Sequence, residues 1–328
     1  MVKIVGIGNA LVDVLVHIDD EKMLSELSLP KGGMTLVDAS DLDRLNDLTR
    51  TLSSVRATGG SASNTIHALS HLGHATGFVG SVGDDEMGAF YLSQMQARGT
   101  VASLQRKPEM STGIATTFIT PDGERTFATY LGAAACVSAD GLRAMLKAHP
   151  EVELLHVEGY LLQDHALIVD VLSTARDAGL VVSYDLASWN LVEAEREFIV
   201  ELVRDYVDIV FANEEEAAAF SCQRDPEEAL RQLASVAGTA VVKVGAHGAF
   251  AMQGSERAFV KGLKRKVVDT TAAGDFFAAG FLHGFVGGEP LERCLDYGNH
   301  LAGEVIQVYG TALTPERIRA AVINGNGG

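Results

Sequence analysis

Short apolar runs alternate along most of this chain with stretches whose apolar residues recur every three or four positions. The runs are KIVGIG, ATGFVGSVG, LLHVEGY, LVVSYDLA, VDIVFAN and TAVVKVG. Each reads as a strand buried on both faces, as in a parallel sheet. The helical patterns between them cover Ser63 to Leu72, Met87 to Arg98, His165 to Ala178, Glu195 to Tyr206 and Asp225 to Val236. The alternation predicts an α/β fold with a mainly parallel sheet flanked by helices. Two stretches break the rhythm. Leu11 to Ser40 alternates like strands around the turn Pro30-Lys31-Gly32-Gly33, and Thr112 to Gly132 reads as a hairpin around Pro121-Asp122-Gly123. Together they predict a small β-sheet lid, about 11–40 and 112–132, over one edge of the main sheet. No repeat or low-complexity linker divides the chain, so residues 1–328 are expected to form one domain, with Gly-Asn-Gly-Gly as a frayed tail.

Composition narrows the function classes. The chain has 328 residues and a net charge of -17, from 43 acids against 26 Lys and Arg. That balance speaks against a nucleic-acid partner or an anionic membrane surface, while leaving room for a local basic pocket. Cys136, Cys222 and Cys294 are widely spaced and form no CxxC pair, which suits a reducing compartment. The apolar run from Ile4 to Ile18 is interrupted by Asp13 and lacks the basic start and small-residue cleavage site of a signal peptide. A cytoplasmic location is expected. His67, His71 and His74 fall at helical spacing, but no carboxylate completes a metal set, and they are expected to be exposed surface histidines.

The chemistry concentrates in VVDTTAAGDFFAAGF, Val267 to Phe281. Two β-branched residues are expected to end a strand there, small residues follow, and Asp275 opens an apolar helix. Unpaired N–H groups and the helix dipole make such a turn a site for a phosphoryl group. Ala272, Ala273 and Gly274 carry almost no side chain to keep that group away. A carboxylate at its rim would accept a proton from an attacking hydroxyl, which suggests phosphoryl transfer to an alcohol. The plain alternative is a first-turn acid favoured by the dipole. Two other nucleotide motifs are excluded. GIGNAL has Leu11 in place of a third glycine and is followed by strand-like LVDVLVHI, and no Gly-Lys dipeptide exists for a Walker loop.

The string DTTAAGD, Asp269 to Asp275, resembles the C-terminal signature of the ribokinase-like (PfkB) family of small-molecule kinases. The likeness extends to ATGGSASNT, GSVGDDEMG and FANEEEAAAF and covers nearly the whole chain. The resemblance implies a ribokinase-like fold, ATP as phosphoryl donor and Mg²⁺. It implies Asp275 as base, with Ala272, Ala273 and Gly274 as an anion hole. Arg125, beside the lid turn, would reach the transferring phosphate; an exposed hairpin Arg is the alternative. Asn9, Asp13, Gly59, Gly60 and Asn64 would hold sugar hydroxyls. Asn213 and Glu216 would order magnesium through its waters, although an Asn N-cap with first-turn acids explains Asn213 equally well. Lys243, Gly245 and Gly248 would meet ATP phosphates or ribose, and Asn299 and Ala302 the adenine pocket. GSVGDDEMG is assigned no chemistry.

Within the family the chain is most similar to adenosine kinases, through GGSASNT, GERTFATYLGAAACV and VEGYLLQ. That likeness implies Tyr160 stacked on a base and Phe127 as a second apolar wall. LASWNLVE departs from it, and Trp189 could wall a different substrate. A sugar kinase of ribokinase, fructokinase or 2-keto-3-deoxygluconate kinase type therefore stays open, as does a non-catalytic relative that binds a nucleoside or sugar. A monomer and a lid-mediated homodimer are both compatible with the sequence.

Overall fold

A computed structural model describes residues 1–122 and 124–324. Gly123, in the expected hairpin turn, and the expected frayed tail lie outside the described residues. The strands are β1 (Ile4–Ile7), β2 (Leu11–His17), β3 (Met34–Leu36), β4 (Ser54–Gly59), β5 (Thr76–Gly83), β6 (Val101–Lys107) and β7 (Gly113–Ile119). They continue as β8 (Arg125–Tyr130), β9 (Leu154–Glu158), β10 (Val181–Asp185), β11 (Ile209–Asn213), β12 (Thr239–Lys243), β13 (Gly248–Gln253) and β14 (Glu256–Lys261). Helices α1 (Lys22–Glu26), α2 (Ala39–Thr49), α3 (Ser61–His71) and α4 (Glu86–Ala97) lie in the first third. Then come α5 (Ala139–Ala148), α6 (His165–Asp177), α7 (Trp189–Ala194), α8 (Arg196–Tyr206) and α9 (Glu214–Ser221). The last are α10 (Pro226–Ala234), α11 (Ala273–Val286), α12 (Leu291–Val305) and α13 (Pro315–Asn324). Among the described residues no helix is long and apolar enough to cross a membrane.

The large sheet runs β14-β13-β12-β11-β10-β9-β1-β5-β6. It is parallel from β12 to β6, and β13 and β14 close one edge as an antiparallel hairpin. The alternation of strand side chains divides the core into two layers. Leu155, Val157, Val182 and Tyr184 pack on one face with Ile168, Leu172 and Val203 of the covering helices. Leu154, Phe211 and Val241 pack on the other with Ile66, Phe276 and Phe281 of α3 and α11. The same period sends His156 and Glu158, two and four residues on from Leu154, toward α3 and α11. This α/β arrangement agrees with the sequence expectation. The sequence pattern missed β6, β13 and β14, whose mixed polar residues reflect their place near the sheet edges.

The second sheet runs β3-β8-β7-β2-β4. One face buries Val16, Phe118 and Ala128 against Leu24 and Leu45 of α1 and α2. The register places Leu15 beside Thr117 and Thr117 beside Phe127, and His17 beside Ile119 and Ile119 beside Arg125. Asp13, Leu15, Arg125 and Phe127 therefore share the opposite face. Strand β4 completes this sheet, although the sequence around Gly59 reads only as a glycine-rich helix start.

Two sequence expectations fail here. Val267 and Val268 end no strand: the chain is irregular from Gly262 to Ala272. With β13 and β14 closing the sheet edge, the N–H groups of Val268 and Asp269 instead donate to the Ile306 carbonyl, at 2.7 and 3.1 Å. The three histidines of the α3 region are not exposed either. Helix α3 is wedged between the sheet and α11, so His67 is buried against Phe276 and His71, and His71 and His74 are half-buried. Among the described residues no group of His, Cys, Asp or Glu is placed to hold a metal ion.

His74 Nε2 lies 2.8 Å from His283 Nδ1 of α11. Burial, and then the charge of His283, lowers the His74 imidazole to about 4. The unfolded chain therefore binds a proton between about pH 6.5 and 4 that the folded chain refuses, and stability falls as pH drops through that window. We expect the difference in Tm between the wild type and His74→Gln to narrow from pH 7 to pH 4. A constant difference across that range would contradict the assignment.

Candidate active site

The turn before α11 is held in an unusual conformation. Ala272 adopts φ 62 and ψ 8, the left-handed region that costs a non-glycine residue about 1 kcal/mol or more. The Ala273 N–H is not free as expected, because it donates to the Thr270 carbonyl at 3.2 Å. Those of Ala272, Gly274 and Asp275 have no backbone partner among the described residues. A side chain at Gly274 would place its Cβ 3.2 Å from Lys243 Nζ, so the glycine lets the ammonium sit against the turn. These groups line a cavity of about 1130 Å³.

Asp275 stands at the inner rim of that turn. Ser61 Oγ donates to its Oδ1 at 2.7 Å and Asn64 Nδ2 to its Oδ2 at 2.9 Å. Burial raises the carboxyl to about 6; the bonds from Asn64 and Ser61 oppose the shift, Asp185 adds to it and Lys243 opposes it. A carboxylate so placed titrates close to neutrality, as a general base needs. Asn64, expected to bind sugar hydroxyls, gives its amide N–H to Asp275 instead. Its Oδ1 is buried without a hydrogen-bond partner.

The ends of β10, β11 and β12 add a charge cluster. Lys243 Nζ lies 3.0 Å from Asp185 Oδ2, and both side chains are largely buried. Burial alone would lower the Lys243 ammonium, but Asp185 and Glu216 beside it raise it above its ordinary value. Glu216 is also raised, by burial first and by Asp185, with Lys243 opposing. Asn213 and Glu216 form a reciprocal cap at the start of α9. Glu216 accepts from the Asn213 N–H at 2.7 Å and from Nδ2 at 2.8 Å, and Asn213 Oδ1 accepts from the Glu216 N–H at 2.8 Å. The capping alternative thus describes the local bonding. Because the Asn213 bonds already engage both Glu216 oxygens, the set fits Mg²⁺ held through water rather than by direct ligation.

Gly245 and Gly248 line the far end of the cavity with φ 53 and φ 122, and Ala302 lines it from α12. Asn299 lines it too, although its amide N–H donates to the Val260 carbonyl at 3.1 Å and braces α12 on β14.

On the other side, Tyr160 reaches the cavity with its hydroxyl 3.3 Å from the Ala187 carbonyl. Phe127, Asn9, Asp13, Gly59, Gly60 and Arg125 lie off the cavity wall. The Asn9 amide is occupied: its N–H and Nδ2 donate to Glu158 Oε1 at 2.8 and 2.6 Å. Asp13 packs so closely on Gly59 that a Cβ there would lie 2.1 Å from Asp13 Oδ1. Burial raises Asp13 to about 7; Asp275 adds to the shift and Arg125 opposes it, so Asp13 feels the charges of both. A Cβ on Gly60, φ 94, would lie 2.1 Å from the Asn9 carbonyl oxygen, so only glycine turns the chain from β4 into α3. Arg125 is not an exposed hairpin Arg. Its Nη2 lies 2.7 Å from the buried Asp269 carboxylate and its Nη1 donates to Thr271 Oγ1 at 2.8 Å. Trp189 is exposed and off the cavity wall.

Four residues outside the sequence-based candidates complete the site: Ser61, Glu158, Asp185 and Asp269. Burial pushes Glu158 up to about 7 against its bonds from Asn9 and Ala62. Glu158 and Asp185 each close an apolar run at the carboxyl end of a parallel strand, where open α/β sheets bind ligands, and that position was the available signal.

Residues 28–317 match the pfkB family carbohydrate kinase model. A probable sugar kinase from Rhizobium etli CFN 42 superposes with a TM-score of 0.87 at 32% identity, covering 99% of this chain and 98% of that one. Adenosine kinase from Sinorhizobium meliloti gives 0.86 at 33% identity, covering 98% and 99%. A 5-dehydro-2-deoxygluconokinase from Geobacillus thermodenitrificans is 27% identical over 89% of this chain and 90% of its own length.

Proposed function

Because the chain belongs to the pfkB family of carbohydrate kinases, we propose that it transfers the terminal phosphoryl group of ATP to the primary hydroxyl of a ribonucleoside, with adenosine the first acceptor to test. That it is a kinase of the sugar or nucleoside class, with ATP as substrate, follows from its family and relatives. The observation that carries the mechanism is Asp275, held by Ser61 and Asn64 and titrating near neutrality. It accepts the hydroxyl proton as the acceptor attacks. The Ala272 and Gly274 N–H groups and the Lys243 ammonium stabilise the charge that develops on the transferring group. Glu216 and Asn213 would hold Mg²⁺ through its waters, where it would supply neutralisation of phosphate charge. The second sheet acts as a lid whose Asp13 face covers the acceptor and excludes water. Tyr160 at the cavity wall supports a base-bearing acceptor. Asn9 and Phe127 act indirectly: Asn9 fixes Glu158, and Phe127 shapes the lid face.

A sugar acceptor is the second reading, favoured by the position of Phe127 off the cavity wall, which leaves Tyr160 as the one expected base-stacking ring there. ADP formation with Mg-ATP and separate acceptors decides between them: adenosine, other ribonucleosides, ribose, fructose and 2-keto-3-deoxygluconate. Turnover of adenosine is expected. Turnover of a free sugar alone would discard the base pocket and keep Asp275, and no ADP with any of them would overturn the acceptor class.

A further inference from the structure

The segment GSVGDDEMG, which the catalytic account leaves unused, encloses a single residue of the lid root. Strand β5 ends at Gly83, Asp85 caps α4, and Gly88 lies in its first turn. The half-buried Asp85 carboxylate faces Thr112, the residue immediately before β7. Thr112 N–H donates to Asp85 Oδ2 at 2.8 Å and Thr112 Oγ1 donates to Oδ1 at 2.6 Å. The Gly88 N–H donates to Oδ1 at 2.8 Å, and the Gly83 N–H donates to Thr112 Oγ1 at 3.0 Å. Thr112 is fully buried, and its hydroxyl both donates and accepts.

Both glycines are demanded by this enclosure. A Cβ on Gly83 would lie 2.5 Å from the Met110 carbonyl oxygen and 2.7 Å from the Thr112 nitrogen. One on Gly88 would lie 2.4 Å from the Gly83 carbonyl oxygen and 3.0 Å from Thr112 Oγ1. The spacing glycine, acid, glycine thus follows from the fit around Thr112. Strand β7, which leaves Thr112, is the middle strand of the smaller sheet, flanked by β2 with Asp13 and by β8 with Arg125.

We propose that Gly83, Asp85 and Gly88 form a socket for Thr112 that anchors the middle strand of the lid to the large sheet and sets the angle at which the lid meets the acceptor. Asp85 and Thr112 are positioning residues, since neither lines the cavity. The neighbouring crossing has its own ties to α4, with Arg98 Nη1 donating to Thr58 Oγ1 at 2.6 Å and Tyr91 Oη to the Gly59 carbonyl at 3.4 Å, but these hold the edge strand β4, and Thr112 is the tie on the middle strand.

Amide hydrogen exchange of the whole protein tests the anchor without requiring turnover. Thr112→Val, which keeps the shape and removes the hydroxyl, is expected to speed exchange in Gly113–Ile119 and Leu11–His17 about tenfold, while β1 and β5 stay unchanged. Thr112→Ser is expected to restore protection. The kinetic readout rests on the kinase reading: the acceptor KM rises about tenfold, the KM for ATP holds, and ADP formed per product exceeds one. Unchanged lid exchange, or equal acceleration in both sheets, would overturn the socket. If Thr112→Val does not fold, Asp85→Asn carries the same comparison. The expected exchange pattern without turnover of any acceptor would uphold the socket and remove the acceptor reading.

Discussion

Replacing Asp275 by Asn is expected to lower kcat roughly 10²–10⁴-fold while leaving the fold intact. The side chain accepts hydrogen bonds from Ser61 and Asn64 in a buried place; Asn keeps its shape, its Oδ1 still accepts from Asn64 and its Nδ2 donates to Ser61 Oγ, while the charge and the capacity to take a proton are lost. Stability should hold or improve. A carboxyl raised from 3.8 to about 6 binds its proton more tightly in the folded chain than in the unfolded one. Folding therefore grows less favourable as pH rises through that window, and above it the ionised group is a standing cost that Asn does not carry. The same shift sets the kinetic signature: kcat/KM of the wild type should fall below about pH 6, where the base is protonated, and level off above it. The residual activity of the Asn variant should lack that limb. Near-normal kcat in Asp275→Asn would remove Asp275 as base; a lost kcat with a much lower Tm would mark it as structural instead.

The tight turn before α11 and the acid at its rim were legible because a run of seven small and polar residues opens directly into an apolar helix. The parallel strands were legible because burial on both faces leaves an uninterrupted apolar run. What stayed hidden is pairing between distant residues. Arg125 was legible as a lone cation beside a turn, but its partner Asp269 is 144 positions away and only the fold brings them within 2.7 Å. Asn64 and Asn9 were legible as amides near glycines, but Asp275 and Glu158, which take their N–H groups, lie on other elements. His67, His71 and His74 were misread because helical spacing says which residues share a face and not that a second helix covers it. Val267 and Val268 have the composition of a strand, but the N–H groups of Val268 and Asp269 bond to the Ile306 carbonyl at the end of α12 instead of to a neighbouring strand.

The Arg125–Asp269 pair also changes what the turn is. Asp269 accepts the Thr271 N–H at 2.9 Å and the Gly310 N–H while its other contact is Arg125 of the small sheet. The left-handed Ala272 follows three residues later, so the strained turn is braced from outside by a side chain of the sheet that we propose to be the lid. Strain of this kind persists only where the surroundings over-determine it. One guanidinium thus ties the small sheet to the turn before α11.

Lys243→Met should have the largest effect on stability. Met matches the apolar stem of the lysine, so packing is kept and one buried positive charge is lost. That charge faces Asp185 at 3.0 Å and acts on Glu216 and Asp275 as well. Removing one partner of a buried pair leaves an uncompensated charge and costs about 3–5 kcal/mol. The loss should be greatest at pH 8. Without Lys243 the carboxyl groups of Glu216 and Asp275 move further up, so lowering the pH lets them take protons and relieves the repulsion in the folded state. Adding Asp185→Asn should recover much of the stability, because the two effects share one network and are not additive. Whatever activity remains should have its acid limb displaced to higher pH, since Lys243 is one of the groups that holds Asp275 down. Chemical denaturation at pH 8 and pH 5.5 measures the first effect and a pH-rate profile the second. Equal losses at both pH values, with no recovery in the double variant, would show that Lys243 acts through packing rather than charge.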